Sequence, residues 1–234
     1  MDVKYKIVAE QMEKEILEGT YAFNTKLPTE EALMKKFDVS RNTIRKAIDS
    51  LVEHGYIYQV QGSGVFLREF SRPGCISIKN MVGLTKEFEK DEMSSKLLAL
   101  ELMVADEELA GQMKCKVNTN IYFLKRVRYR NGVPFVIEES FYNKDLIPLL
   151  DKEIAGGSIY RYITDDLKLK VGFADKIISC EKLNDEDAEL LGLESGDPAL
   201  IVENTVFLNT GVVFDISREK YNYTTAKLLM LTTS

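Results

Sequence analysis

Arginines in this chain sit at spacings that let neighbouring pairs share one anion. In VSRNTIRKAIDSLVEHG, Arg41 and Arg45 are one helical turn apart and Asp49 follows at the same interval. On a helix these residues stack on one face. Two guanidinium groups so placed can reach DNA phosphates or guanine edges. In LKRVRYRNG, Arg126, Arg128 and Arg130 alternate, so a strand would set them on one face. Like charges in a row repel unless water or an anion relieves them, and a phosphate suits a pair of them through bidentate, charge-assisted hydrogen bonds. Farther along, Gly156-Gly157-Ser158-Ile159-Tyr160 precedes apolar positions at Ile159, Tyr162, Ile163 and Leu167. Ser158 would cap a helix there, and its free N–H groups could complete an anion cradle. The same residues read equally as a solvated strand face and an ordinary helix cap.

Glu138 depends on hairpin register. A two-residue Asn131-Gly132 turn pairs Arg130 with Val133 and turns Glu138 away from the arginines. A three-residue loop over Arg130-Asn131-Gly132, with Gly132 left-handed, pairs Tyr129 with Val133 and brings Glu138 to the face of Arg126 and Arg128. The second register is the expectation here, because it sets a carboxylate beside the cradle for a ligand hydroxyl or amine.

The elements that must carry these residues divide the chain. Val3, Ile7, Met12, Ile16 and Leu17 recur at roughly helical spacing, and Gly19 is a plausible stop. In KLPTEEALMKKF, Pro28 opposes helix, Thr29 can cap, Glu30 and Glu31 suit a helix start, and Ala32, Leu33 and Phe37 then face inward. Ser40 can cap a third helix whose Ile44, Ala47, Ile48, Leu51 and Val52 lie opposite Arg41 and Arg45. Tyr56–Val60 reads as a strand, QGSG as a turn and Val65–Leu67 as the return. Helix, helix, tight turn, helix and hairpin make a winged helix-turn-helix. Pro73-Gly74 breaks the periodicity, giving a DNA-binding domain over 1–68, a linker over 69–80 that could hinge, and a second domain over 81–234. That domain reads as a strand over 97–104, a helix opened by Asp106, a hairpin around Asn131-Gly132, a helix between Asn184 and Gly192, and a hairpin around Asn209-Thr210-Gly211. The class is α+β, with an antiparallel sheet and flanking helices.

Composition narrows the function. The chain has 234 residues, 45% of them apolar and 29% charged, and a net charge of −6. An acidic total argues against nucleic acid, but from Lys35 to Arg68 six basic residues face three acidic ones. A local basic face is what DNA binding requires. No apolar run is long enough to cross a bilayer and the N-terminus lacks a signal-peptide core, so a cytoplasmic location is expected. Cys75, Cys115 and Cys180 form no metal or disulfide pattern. His54, the one histidine, reads as a helix C-terminal residue. With no histidine in the second domain, enzymatic chemistry would fall to Glu138 and Asp215 as an acid–base pair. No catalytic residue, cofactor or metal is expected.

LPTEEAL, then VSRNTIRKAIDSLVEHGYI, then QGSGVF resemble the N-terminal domain of the GntR family of bacterial transcription regulators. The resemblance implies DNA contacts from Thr29, Glu30, Arg41, Thr43 and Arg45, and from the wing at Gln61, Gly62 and Ser63. The residue after Glu30 is often a DNA-contacting arginine in relatives; here it is Glu31, and that contact is not carried over. LKRVRYRNGVPFVIEESFY, SIY and VVFDISREKYNY resemble the chorismate lyase-like UTRA effector domain of the HutC branch. By that resemblance Arg126, Arg128, Ser158 and Tyr160 hold a phosphate, and Leu84, Thr85, Glu138, Asp215 and Tyr221 contact a sugar. Asp215 stands where a glutamate is usual and Leu84 where a phenylalanine is common. The expectation is a homodimeric repressor whose affinity for operator DNA responds to a phosphorylated sugar or amino sugar. The alternatives are a sensor of a non-phosphorylated acid, a lyase-like enzyme, and an architectural DNA binder whose second domain only dimerises.

Overall fold

The computed structural model of the chain describes residues 3–69, 74–79 and 83–232. The chain divides into two compact units, one running to Pro73 and including Leu229–Ser234, the other spanning Gly74–Leu228. Within the expected linker, 70–73 and residue 80 lie outside the described residues, and Ile76–Ser77 forms a short strand, β3.

In the first unit, α1 (Val3–Leu17), α2 (Glu30–Phe37) and α3 (Arg41–Glu53) are followed by a hairpin of β1 (Ile57–Val60) and β2 (Gly64–Leu67). Val8, Ala9, Met12 and Ile16 form the buried stripe of α1, while Ile7 and Leu17 are exposed. The expected stripe was therefore misplaced by about one residue, because a small Ala9 completes the face. On α2, Leu33 is buried and Phe37 half-buried, but Ala32 faces solvent. On α3, Ile44, Ala47, Ile48 and Leu51 are buried against α1 and α2. Thr29 and Ser40 cap α2 and α3 by accepting from the N–H groups of Ala32 and Thr43, and His54 closes α3.

The second unit is built on a six-stranded antiparallel sheet, ordered β4 (Met93–Val104), β5 (Asn120–Arg130), β6 (Val133–Asn143), β9 (Val213–Asn222), β8 (Pro198–Leu208) and β7 (Val171–Lys182). The sequence reading missed β7 entirely and began β4 four residues late. Asp106 caps α5 (Glu107–Met113) and Asn184 caps α8 (Asp185–Leu191). Val127, Ile137 and Ile201 pack against α8 on one sheet face, and Ile121 packs against α5. The other face is covered by α4 (Leu84–Glu87), by α6 (Lys152–Gly156), and by α7 (Ile159–Arg161), which runs into a π-helical turn at Tyr162–Asp166. β3 pairs with β10 (Leu228–Leu229) in a separate two-stranded ribbon.

The hairpin between β5 and β6 differs from expectation in an instructive way. Arg130 pairs with Val133 across a two-residue turn, with Asn131 and Gly132 both at positive φ (51° and 77°). A bulge then shifts the register between Arg128 and Tyr129, leaving Phe135 unpaired. That extra residue restores the phase, so Glu138 pairs with Arg126 after all.

Candidate DNA-binding face and ligand cavity

Arg41 and Arg45 project from the first two turns of α3 with more than half of each side chain exposed. Glu30, at the start of α2, reaches across to both: its carboxylate accepts from Arg45 Nε at 2.9 Å and lies 3.5 Å from Arg41 Nε. Glu30 thus fixes the direction of the two cations on the helix end that a winged helix presents to DNA. Thr43 is tied to the Ser40 cap, with 2.9 Å between hydroxyls. Glu31 pairs with Lys35 along its own helix. Gln61, Gly62 and Ser63 form the exposed wing tip, and Gln59 donates to Asp49, which holds β1 against α3.

In the second unit, register decides which side chains meet. Arg126, Glu138, Glu219, Val202 and Ile178 form one row across β5, β6, β9, β8 and β7. Ser140, Ser217, Asn204 and Lys176 form the next row, and Tyr142, Asp215, Val206 and Ala174 the one after. Cross-strand partners share a sheet face, so these rows make one continuous floor. Above it lies a cavity of about 790 Å³, open mouth included. All nine side chains expected to touch a ligand line it: Leu84 and Thr85 from α4, Ser158 and Tyr160 at α7, and Arg126, Arg128, Glu138, Asp215 and Tyr221 from the floor. Gly83, at φ +74°, brings the start of α4 against Tyr160; a Cβ there would lie 3.2 Å from Tyr160 Cβ.

Arg130 keeps to the expected face of the strand, against Phe88 and Phe135, but does not line the cavity. It donates to Asp91 at 2.7 Å and stacks over Phe88, with its guanidinium carbon 4.2 Å from the ring centroid. That leaves Arg126 and Arg128 as the pair that lines the cavity. Arg126 donates to Glu138 at 2.5 Å and to the carbonyls of Ala155 and Gly157, fastening the loop that leads into Ser158. Ser158 accepts from the N–H of Arg161. Arg128, 3% exposed, donates to Thr85 at 2.7 Å and lies 3.8 Å from Glu138.

The electrostatics of the cavity are unbalanced. Burial would raise the Glu138 carboxyl, but Arg126 and Arg128 outweigh it and hold the group below the usual carboxylate range. One carboxylate faces two guanidinium groups, and burial lowers the pKa of Arg128. Asp215 is pushed well up by burial and then by Glu219 and Glu138, which favours its neutral form. Burial and the Glu138 charge raise Glu219 to about 7. Three buried polar atoms on these walls have no hydrogen-bond partner: Arg128 Nε, Asn204 Oδ1 and Asp215 Oδ1. Buried polar atoms are ordinarily satisfied, so these mark a cavity shaped for a polar occupant. Lys176, Asn204 and Glu219 were missed from sequence: Lys176 lies on the unrecognised β7, and a register shift between Val206 and Phe207 hid the phase of the hairpin that carries Asn204 and Glu219.

A winged helix-turn-helix joined to a sheet domain with a polar internal cavity defines a ligand-responsive DNA-binding regulator. Residues 4–67 match the model for bacterial regulatory proteins of the gntR family, and residues 89–227 match the UTRA domain. The chain belongs to the GntR family of transcription regulators, in its HutC-type branch with a UTRA domain. It is 40% identical over 221 residues to YydK, an uncharacterized HTH-type transcriptional regulator of Bacillus subtilis (strain 168), covering 94% of each chain. The crystal structure of YydK superposes with a TM-score of 0.78 at 37% identity, over 99% of this chain and 100% of that one. The mannosyl-D-glycerate transport/metabolism system repressor of Escherichia coli (strain K12) is 29% identical, over 93% of this chain and 91% of its own. These relatives are transcriptional regulators and not enzymes. Among the described residues, no helix is long and apolar enough to cross a membrane.

Proposed function

We propose that this protein is a homodimeric repressor whose operator affinity is set by a phosphorylated sugar held in the UTRA cavity. The observation that carries the reading is the buried pair Arg126 and Arg128, which share a single carboxylate. An uncompensated buried charge is costly, and a phosphate arriving at this pair would supply the missing negative charge through charge-assisted hydrogen bonds. Ser158 and Tyr160 close the phosphate end. Glu138, Asp215 and Tyr221 would then meet sugar hydroxyls, with a neutral Asp215 able to donate as well as accept. A relative named as the repressor of a mannosyl-D-glycerate transport/metabolism system fits the same reading.

Two copies would place two winged helices on a pseudo-palindromic site. The edge strands support pairing of copies: Phe173 and Ile177 on β7 are 50% and 63% exposed, and an apolar edge of this kind is what a second copy covers. The ligand acts by binding one arrangement of the dimer more tightly than another. The test is fluorescence anisotropy on a duplex selected by the protein from a random-sequence pool, titrated with hexose phosphates and their unphosphorylated parents. A fall in DNA affinity with a phosphate and none with its parent supports the reading. A response to a non-phosphorylated acid alone, or a chain that stays monomeric in sedimentation, contradicts it.

A further inference from the structure

The chain leaves the first unit at residues 73–74 and returns to it at residues 228–229. The returning segment is built into the cavity wall at one end and onto the DNA-binding elements at the other. At the cavity end, β3 supplies Ile76 and Ser77 to the wall. The N–H of Ile76 donates to the carbonyl of Lys227 at 2.8 Å, which holds β10 beside β3. The N–H of Ser77 donates to the Glu87 carboxylate at 2.9 Å, which ties β3 to α4, the helix that carries Leu84 and Thr85. Leu228 packs on the cluster that contains Ile76, Leu84, Phe88 and Tyr221. At the other end, Leu231 rests on Gly55, the residue after the cap of α3; a Cβ on Gly55 would lie 3.4 Å from Leu231 Cβ. Arg68, the residue after β2, donates from its side chain to the carbonyl of Thr232 at 3.0 Å and from its N–H to the carbonyl of Tyr56 at 2.8 Å. The tail thus touches the end of the helix that carries Arg41 and Arg45, and the root of the wing.

Met230 alone separates β10 from Leu231. One residue of chain spans at most about 3.6 Å, so the tail has no slack to absorb a shift of β10. Its hold is light: Leu231 is half-buried, Thr232 is exposed and Met230 is 59% exposed. Segments with so little burial open at low cost. We propose that this C-terminal tail couples the cavity to the DNA-binding unit. A ligand that fills the cavity displaces β3, β10 follows through its pairing, and the tail tightens or releases its hold on the end of α3 and the root of the wing. The docked and released tail are the two states that such coupling needs. The inference rests on the reading of a ligand-responsive regulator, and not on the ligand being a phosphate.

Linkage between two sites is reciprocal, so DNA binding must also act on β3. Hydrogen exchange by mass spectrometry tests this on the full chain, with and without a duplex that the protein has selected from a random-sequence pool. The duplex is expected to change exchange at the amides of Ile76 and Ser77 by about fivefold or more. A chain ending at Met230 keeps β10 and the cavity wall, and in Leu231→Asp the tail is present but its apolar contact is lost. Both should bind the duplex and lose the change at β3. A change that survives in both variants, or no change at β3 in the full chain, would overturn the proposal. No sugar phosphate enters the experiment, so its outcome is separate from that of the phosphate reading.

Discussion

Glu138 is the hinge of the cavity's charge, since it neutralises one of two buried guanidinium groups and would have to re-form its contacts if the proposed phosphate bound. Arg128→Ala should therefore abolish the response to phosphorylated ligand and leave DNA affinity intact, because Arg128 belongs to the second unit; a variant that still responds would remove it from the site. Arg45, 61% exposed and aimed by Glu30, should behave in the opposite way. Arg45→Ala should weaken specific DNA binding by about 1–3 kcal/mol and relax sequence preference if it reads a base, with no change in ligand affinity. Glu219 gives a pH signature. Its folded pKa of about 7 lies above the ordinary 4.5, so the protonated group favours the folded state. That contribution is fully present below pH 4.5 and is lost as pH rises through 7. Glu219→Gln, a neutral mimic of the protonated group, has no such loss, so by urea unfolding the wild type should fall in stability relative to the variant as pH rises over this window; a difference independent of pH would mean that Glu219 titrates normally. Arg126 and Arg128 were legible because alternation on a strand needs no tertiary information. The place of Arg130 was not, because its partners Asp91 and Phe88 come from a segment that no periodicity ties to the strand.

Elements announce themselves by their caps in this chain. Thr29, Ser40, Asp106, Ser158 and Asn184 were each read as helix starts, and each accepts a hydrogen bond from a backbone N–H in the first turn. Asp106→Ala should cost about 0.5–2 kcal/mol of stability, seen as a fall of a few degrees in Tm, because α5 buries Leu109, Ala110 and Met113 against the sheet. An unchanged Tm would show that packing alone holds the helix. What lies after Ser158 was harder to read, since the helix gives way to a π turn within one turn of its start. β7 was illegible for a different reason. VGFADKIISCEK places Ile177 and Ile178 side by side and carries charge at Asp175 and Lys176, so neither period is clean. It is an edge strand, exposed on much of its length, and only its ladder with β8 defines it. Lys176 was missed from the cavity with the strand that carries it.

At the scale of the whole molecule, the order of motifs along the chain made two domains and their roles legible, and the family matches over 4–67 and 89–227 agree with that order. The C-terminal end was not legible: Leu229–Ser234 groups with the DNA-binding unit, where Arg68 donates to the carbonyl of Thr232 at 3.0 Å. No periodicity in so short a tail could reveal a partner far away in sequence. On the reading proposed above, this regulator senses phosphate on a sugar. Thermal unfolding of the intact protein against a panel of hexose phosphates and phosphoglycosides, each beside its unphosphorylated parent, tests it most directly. A ligand at a hundred times its Kd should add about 2.7 kcal/mol of stability. A shift of several degrees is expected with at least one phosphorylated compound, none with its parent, and none with either in Arg128→Ala. Equal shifts with the phosphate and its parent, or a shift that Arg128→Ala retains, would contradict it.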